Sequence, residues 1–330
     1  MAYPSRPPAQ APRVWRHDEH SAIRRLVNMN FPIHTTPARR QGPARAVRVP
    51  LILVLWLLAA TALAAGPGSA ASLRAKYAAL SAEFSNSPFQ RPVHLDSVES
   101  SRDSSGDIYA VVSYPYGTVS AELNNPAHWC DVLNLHLNTK DCRAVTDGSA
   151  TVLEMRIGKK YDQPLADAYR FSFAYRAVSM TPEYFDIELD APSGPMGTRD
   201  YHMLLEAIPI DGGRTFLHLG YAFGYGAASH LAFQAYLATL GSGKVGFTTV
   251  ASADGQTAYI GGIRGLVERN TMRYYLAIDA YLDGLSAPPA DQLEKRLQTW
   301  FTATEKYPRQ LHEIDRATYL DMKRSQLRRP

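Results

Sequence analysis

Between residues 108 and 225 apolar side chains recur at every second position, segment after segment, and this period sets the kind of fold available to the chain. Tyr169, Phe171, Phe173 and Tyr175 fall on one face of such a segment, with Arg170, Ser172 and Arg176 on the other. Phe185, Ile187 and Leu189 alternate with Asp186, Glu188 and Asp190, and Leu153, Met155 and Ile157 alternate with Glu154 and Arg156. A period of two is the pleat of a strand with one buried face. Strands of parallel sheets are covered on both sides and read as unbroken apolar runs, so the alternation predicts an antiparallel sheet with one wet face. Both signs of charge on that face are placed for cross-strand ion pairs.

Helices frame these strands. Leu73, Tyr77, Leu80 and Phe84 have helical spacing, which predicts an amphipathic helix over residues 70–84, ended by Pro88 and Pro92. Residues 93–100 and 107–114 read as a hairpin across the polar turn 101–106. Two short helices follow over 116–123 and 126–135, the second with Asn125 as its cap and Pro126 at its first position. Strand segments then run to Tyr221, Phe223 and Tyr225. Beyond them come an alanine-rich helix over 227–240 and a long helix over 263–282, closed by Pro288 and Pro289. The tail, 290–327, reads as two more helices, the first with Leu293, Leu297, Trp300 and Phe301 on an apolar side.

Residues 51–65 are an apolar run preceded by Arg39, Arg40, Arg45 and Arg48 and ending in Ala62-Leu63-Ala64, the small-x-small pattern of signal cleavage. The run is short for a bilayer span, which needs about 20 residues, so a cleaved export signal is expected, with an uncleaved N-terminal anchor as the alternative. Met29 offers an internal start that leaves an ordinary basic region before the run. The expected compartment is the periplasm.

Export changes two other readings. The chain carries a net charge of +4, but residues 1–64 hold nine Arg against only Asp18 and Glu19, so the remainder is −3. A domain of that sign, with no basic stripe interleaved with aromatics, excludes nucleic acid as the expected partner. The exception is the tail, where Lys323, Arg324, Arg328 and Arg329 cluster as a solvated helix end or a membrane-surface contact. The two cysteines, Cys130 and Cys142, read as a disulfide in an oxidising compartment, tying the second short helix to the strand that begins near Asn138.

The stretch from Tyr109 to Pro126, a strand running through Tyr114-Pro115 into a helix and then Leu123-Asn124-Asn125-Pro126 before Trp129, resembles the START-like (SRPBCC) superfamily of lipid-transfer proteins and polyketide cyclases, as does the order of elements over about 72–285. The resemblance implies an α+β helix-grip fold: a curved antiparallel sheet packed on a long C-terminal helix, here with extra C-terminal helices. Residues 1–65 are then a leader, 70–285 the helix-grip domain and 286–330 a helical extension. It also implies an apolar cavity between sheet and long helix that takes a hydrophobic small molecule or lipid.

The candidate ligand-binding residues are Phe171, Phe173, Tyr175, Phe185, Tyr221, Phe223 and Tyr225 on the sheet, set against the alternative that they are simply core. On the long helix, Arg269 and Arg273 lie one turn apart beside the stripe Ile263, Leu266, Asn270, Tyr274, Ala277 and Tyr281, which is expected to be buried. Two guanidiniums there suit a carboxylate or phosphate headgroup, or alternatively a surface salt-bridged to Glu206 or Glu268. Other motifs fail. In Gly241-Ser242-Gly243-Lys244, Val245 stands where a phosphate loop has Ser or Thr. His312-Glu313-Ile314-Asp315-Arg316 lacks the second histidine of a zinc helix. His218, beside Gly220 and Ala222, reads as a satisfied packing histidine. No cofactor, metal site or catalytic residue is expected, and the chain reads as a binder of hydrophobic ligands. A cyclase or hydrolase on the same scaffold, or a structural envelope protein without a cavity, are the alternatives.

Overall fold

The computed structural model describes residues 68–239, 241–251 and 257–328. The leader, its export signal, the internal start and Arg329 lie outside the described residues.

The first helix, α1 (Ala70–Ser85), is entered by Ser69, whose hydroxyl accepts from the Ser72 N–H. A hairpin follows, β1 (Val93–Glu99) and β2 (Asp103–Val112), with a tighter turn than the one expected because Ser104 and Ser105 already pair with Glu99 and Val98. The short helices α2 (Tyr116–Leu123) and α3 (Pro126–Leu135) have the expected bounds; the Asn125 side chain caps α3 by accepting from the Ala127 N–H at 2.9 Å. Then come β3 (Thr139–Asp147), β4 (Ala150–Ile157), β5 (Tyr169–Met180), β6 (Phe185–Ser193), β7 (Arg199–Ile210) and β8 (Arg214–Gly224). After α4 (Ala227–Ala238), a two-strand ribbon of β9 (Thr249–Ala251) and β10 (Thr257–Tyr259) leads to the long helix α5 (Gly262–Gly284). The tail forms α6 (Gln292–Thr304), α7 (Pro308–Leu311) and α8 (Arg316–Leu327), three helices where two were expected, because Pro308 opens a separate turn.

The first eight strands form one antiparallel sheet in the order β1-β2-β8-β7-β6-β5-β4-β3. Its alternation turns Ile108, Ala110, Met203, Leu205, Leu217, Leu219, Tyr221 and Phe223 toward α5 and the α2–α3 pair. On the opposite side Tyr109, Val111, Ile208 and Phe216 pack under Leu73, Tyr77 and Phe84 of α1. The wet face expected of the whole sheet is therefore displaced toward β3–β6. There Arg176 bridges Glu188 and Asp190 across the strands.

Helix α5 lies over β1, β2 and β8, which makes this the helix-grip α+β architecture that the sequence resemblance implied. Sheet and helix approach most closely where β2 has glycine: a Cβ on Gly106 would stand 2.6 Å from the Thr271 hydroxyl. The bridge between Cys130 and Cys142 joins α3 to β3, with 5.1 Å between Cα atoms. The tail helices cover the outer side of α5. Trp300 donates its indole N–H to the Arg273 carbonyl at 3.1 Å, and Tyr319 donates to the Leu135 carbonyl at 2.8 Å.

In the basic cluster at the end of the chain Lys323 turns inward, while Arg324 stays partly exposed and Arg328 is exposed, a solvated helix end at those two positions. Lys323 is buried, and its ammonium donates to the carbonyls of His136 and Thr139 at 2.7 and 2.6 Å. Arg324 pairs with Glu294. Among the described residues no helix is long and apolar enough to cross a membrane.

Candidate functional site

Alternation on β5, β7 and β8 brings most of the singled-out aromatics into one network. Phe171 packs edge-on against Phe173 at 4.7 Å and against Tyr201 at 5.1 Å between ring centroids. Tyr201 stacks on Phe223 at 5.5 Å and leans on Tyr221 at 6.2 Å. Phe223 and Tyr225 both meet Phe233 of α4. Two candidates stand apart: Phe185 packs on Tyr116 at 5.9 Å, and Tyr175 donates its hydroxyl to the Asn124 carbonyl at 2.8 Å. Tyr225 is also anchored, donating to the Ser100 carbonyl at 2.7 Å.

From Ile263 to Ile278 α5 is buried almost throughout, yet Leu266, Asn270 and Tyr274 of the stripe expected to be buried keep part of their surface accessible, as does Arg264. Spaced by four, Leu266, Asn270 and Tyr274 form one stripe. Tyr274 faces Tyr221 across 5.3 Å, and His136 stacks on its ring at 5.1 Å. Through Tyr274 the stripe adjoins the aromatic face of the sheet. Burial pushes the Tyr221 hydroxyl well above its ordinary value, with Tyr201 and Tyr274 adding to the effect and the Asn270 amide opposing it. Tyr201 is pushed up to about 12, again chiefly by burial. These hydroxyls are neutral hydrogen-bonding groups at any physiological pH. Two surface pockets lie elsewhere: one of about 290 Å³ beside Phe89, Leu95 and Phe247, the other of about 400 Å³ beside Arg91, Tyr114 and Asp279.

The two arginines of α5 diverge. Arg273 is 4 % exposed and donates to Glu313 at 2.8 Å and to the Leu311 carbonyl at 3.3 Å. Glu313 also receives Lys160 at 2.6 Å and Lys244 at 3.3 Å. Burial works against its charged form, but Arg273, Lys160 and Lys244 outweigh it and hold its carboxyl below the usual range. Arg269 is 1 % exposed, and its Nη1 has no hydrogen-bond partner among the described residues. Neither carboxylate weighed from sequence serves either arginine. Glu268 is taken by Ser97 and by the N–H groups of Phe247 and Thr248, and Glu206 by His218 and Tyr184.

Sequence reasoning missed Tyr201, His136 and Glu313. His136 is 4 % exposed; its Nδ1 accepts from the Asn138 N–H at 3.2 Å, which places the proton on Nε2, an atom with no partner among the described residues. Burial, then Arg273, Lys323, Lys160 and Lys140, keep this ring neutral. Glu313 lies in the stretch set aside as a failed zinc motif, so the signal was present but read for the wrong chemistry. His218 is the satisfied histidine expected: its ring nitrogens face Glu206 and Asp107, each at 2.8 Å, on the outer face of the sheet beneath α1. Among the described residues no group of His, Cys, Asp and Glu is placed to hold a metal ion.

No protein-family model matches the chain, and no curated protein matches it. Solved structures align with it at low similarity. Truncated norcoclaurine synthase from Thalictrum flavum aligns at 11 % identity and a TM-score of 0.30, over 45 % of this chain and 88 % of that one. The Zhui aromatase/cyclase from Streptomyces sp. R1128 aligns at 13 % and 0.28, over 63 % and 94 %. A conserved protein from Geobacillus kaustophilus aligns at 10 % and 0.32, over 54 % and 95 %.

Proposed function

We propose that this is an exported protein that binds a hydrophobic, lipid-like small molecule non-covalently inside the grip. The observation that carries the reading is the accessible stripe of Leu266, Asn270 and Tyr274, set between wholly buried residues of α5 and opposite Tyr221. A helix locked into a filled core has no reason to keep such a stripe. Phe171, Phe173 and Phe223 supply apolar walls, while the hydroxyls of Tyr201, Tyr221 and Tyr274 and the Asn270 amide supply the few polar groups that orient a ligand. Removing apolar area from water is worth about 25 cal/mol per Å² before ordering costs. Helix α4, seated on Phe223 and Tyr225 through Phe233, is the element whose movement admits the ligand.

Export is supported by the basic leader with its Ala62-Leu63-Ala64 site and by the bridged cysteine pair, which suits an oxidising compartment. N-terminal sequencing of the secreted form tests this half: a chain beginning at Ala65 is expected, and recovery of the intact leader contradicts it. Native mass spectrometry with organic extraction of the protein from a membrane-containing host tests the other half. A co-purifying hydrophobic species is expected; an unliganded protein from every such host favours the structural reading, in which the aromatics are core alone.

A further inference from the structure

We propose that the molecule held in the grip is an acid, and that Arg269 receives its carboxylate or phosphate oxygen. The inference rests on the ligand-binding reading above and names the class of ligand.

Arg269 is among the largest fully buried side chains of the protein, at 1 % exposure. An isolated charge in that position is costly unless it is paired, and a guanidinium does not escape by losing its proton. Burial, followed by Arg273, lowers its pKa only to about 10, so the charge stays at neutral pH. The acids nearby are already engaged. Glu313 is shared by Arg273, Lys160 and Lys244, and Glu268 is spent on Ser97, Phe247 and Thr248. Glu313 and Glu268 therefore act on Arg269 only as charges at a distance, and its Nη1 is left without an acceptor among the described residues.

The position of this charge fits a ligand's polar end. Asn270, its chain neighbour, belongs to the accessible stripe and accepts from Arg273 Nη1 at 3.5 Å. Tyr236 of α4 receives a hydrogen bond from Lys160 at 3.1 Å on the other side. Beside Nη1 the helix has glycine: a Cβ on Gly265 would stand 3.5 Å from Arg269 Nη1, in ordinary contact with it. A planar oxyanion is the group that matches such a donor.

Binding of C8 to C16 fatty acids, of the matching alcohols and of inorganic phosphate to the delipidated full chain tests this, with Arg269→Met and Arg269→Lys alongside. The acids are expected to bind the wild type about 10- to 100-fold tighter than the alcohols, as a charged hydrogen bond implies. Arg269→Met should abolish that preference, and Arg269→Lys should restore part of it. Ligand-free Arg269→Met should also melt no lower than the wild type, since it removes a buried charge whose Nη1 has no acceptor among the described residues. Equal affinity of acids and alcohols in wild type and Arg269→Met overturns the inference but leaves the hydrophobic-ligand reading standing. Binding of phosphate alone, lost in Arg269→Met, supports the oxyanion site and overturns the hydrophobic reading. Binding of none of the three overturns both.

Discussion

Tyr221 on β8 and Tyr274 on α5 face each other across the grip, their ring centroids 5.3 Å apart and their planes inclined at 55°. This is one of the side-chain contacts by which sheet and long helix meet, alongside the Ser97 hydroxyl donating to Glu268. Around it the aromatic face is dense, yet the helix stripe that contains Tyr274 keeps accessible surface.

Leu266→Trp places a larger ring on that stripe. If the accessible surface borders a ligand site, the variant should fold with a melting temperature within a few degrees of the wild type while losing most of its co-purifying hydrophobic species in native mass spectrometry. If the stripe is packed core, overpacking should instead destabilise the protein by about 1–3 kcal/mol. Retention of a full ligand complement at unchanged stability contradicts both.

Arg273 and Glu313 are a buried pair, 4 % and 7 % exposed. Breaking it by Glu313→Gln should cost about 3–5 kcal/mol in chemical denaturation, because three cations lose their shared anion. The Glu313 carboxyl is held below its ordinary value, so its contribution is fully present above about pH 4.5 and is lost as pH falls through the folded value. Acid unfolding of Glu313→Gln should therefore show less loss of stability between pH 5 and 3 than the wild type; parallel curves would refute the assignment.

His218 sits between Glu206 and Asp107, and burial alone would lower its pKa. The hydrogen bonds and charge of the two carboxylates win and raise it above 6.5. Its contribution is thus fully present below pH 6.5 and is lost as pH rises through the folded value. NMR titration should place its midpoint above 6.5, and His218→Gln should flatten the decline in stability on the alkaline side of that value. A midpoint at or below 6.5 would show that burial prevails.

The bridge between Cys130 and Cys142 spans 12 residues. Cys130→Ser with Cys142→Ser should lower stability by about 3 kcal/mol, the loop-closure entropy of a span of this length. Reductant should shift the wild type, but not the double variant, to the same lowered denaturation midpoint. A wild-type midpoint insensitive to reductant would mean that the bridge is absent or adds nothing.

Much of the fold was legible because its signals are local. The bounds of α2 and α3 follow from Pro115, Asn125 and Pro126, whose effects act within one turn of chain. Period-two runs located the strands, and a period of four placed Leu266, Asn270 and Tyr274 on one stripe of α5. Tyr201 was legible in principle, being in phase with Met203, Leu205 and Ala207, but it stands at the irregular start of β7, where Asp200 is left-handed with φ of 50° and the register with β8 shifts between Arg199 and His202. Alternation also reports which residues share a face, not what covers that face, and the packing of α1 on Phe216 and Val111 is invisible to it.

What the sequence determined by itself was the set of short-range choices: an antiparallel sheet, a long amphipathic helix, the caps between them, and two cysteines near enough in sequence to bridge. What only the tertiary structure decided was the pairing of charges. Arg273 finds Glu313 forty residues away, Glu206 goes to His218 on the opposite face, and Arg269 is left with an unpartnered Nη1. Charge complementarity acts between whichever groups the packed backbone brings together and has no period along the chain. Desolvation, which makes an unpaired guanidinium costly, arises only once the surrounding side chains have closed over it.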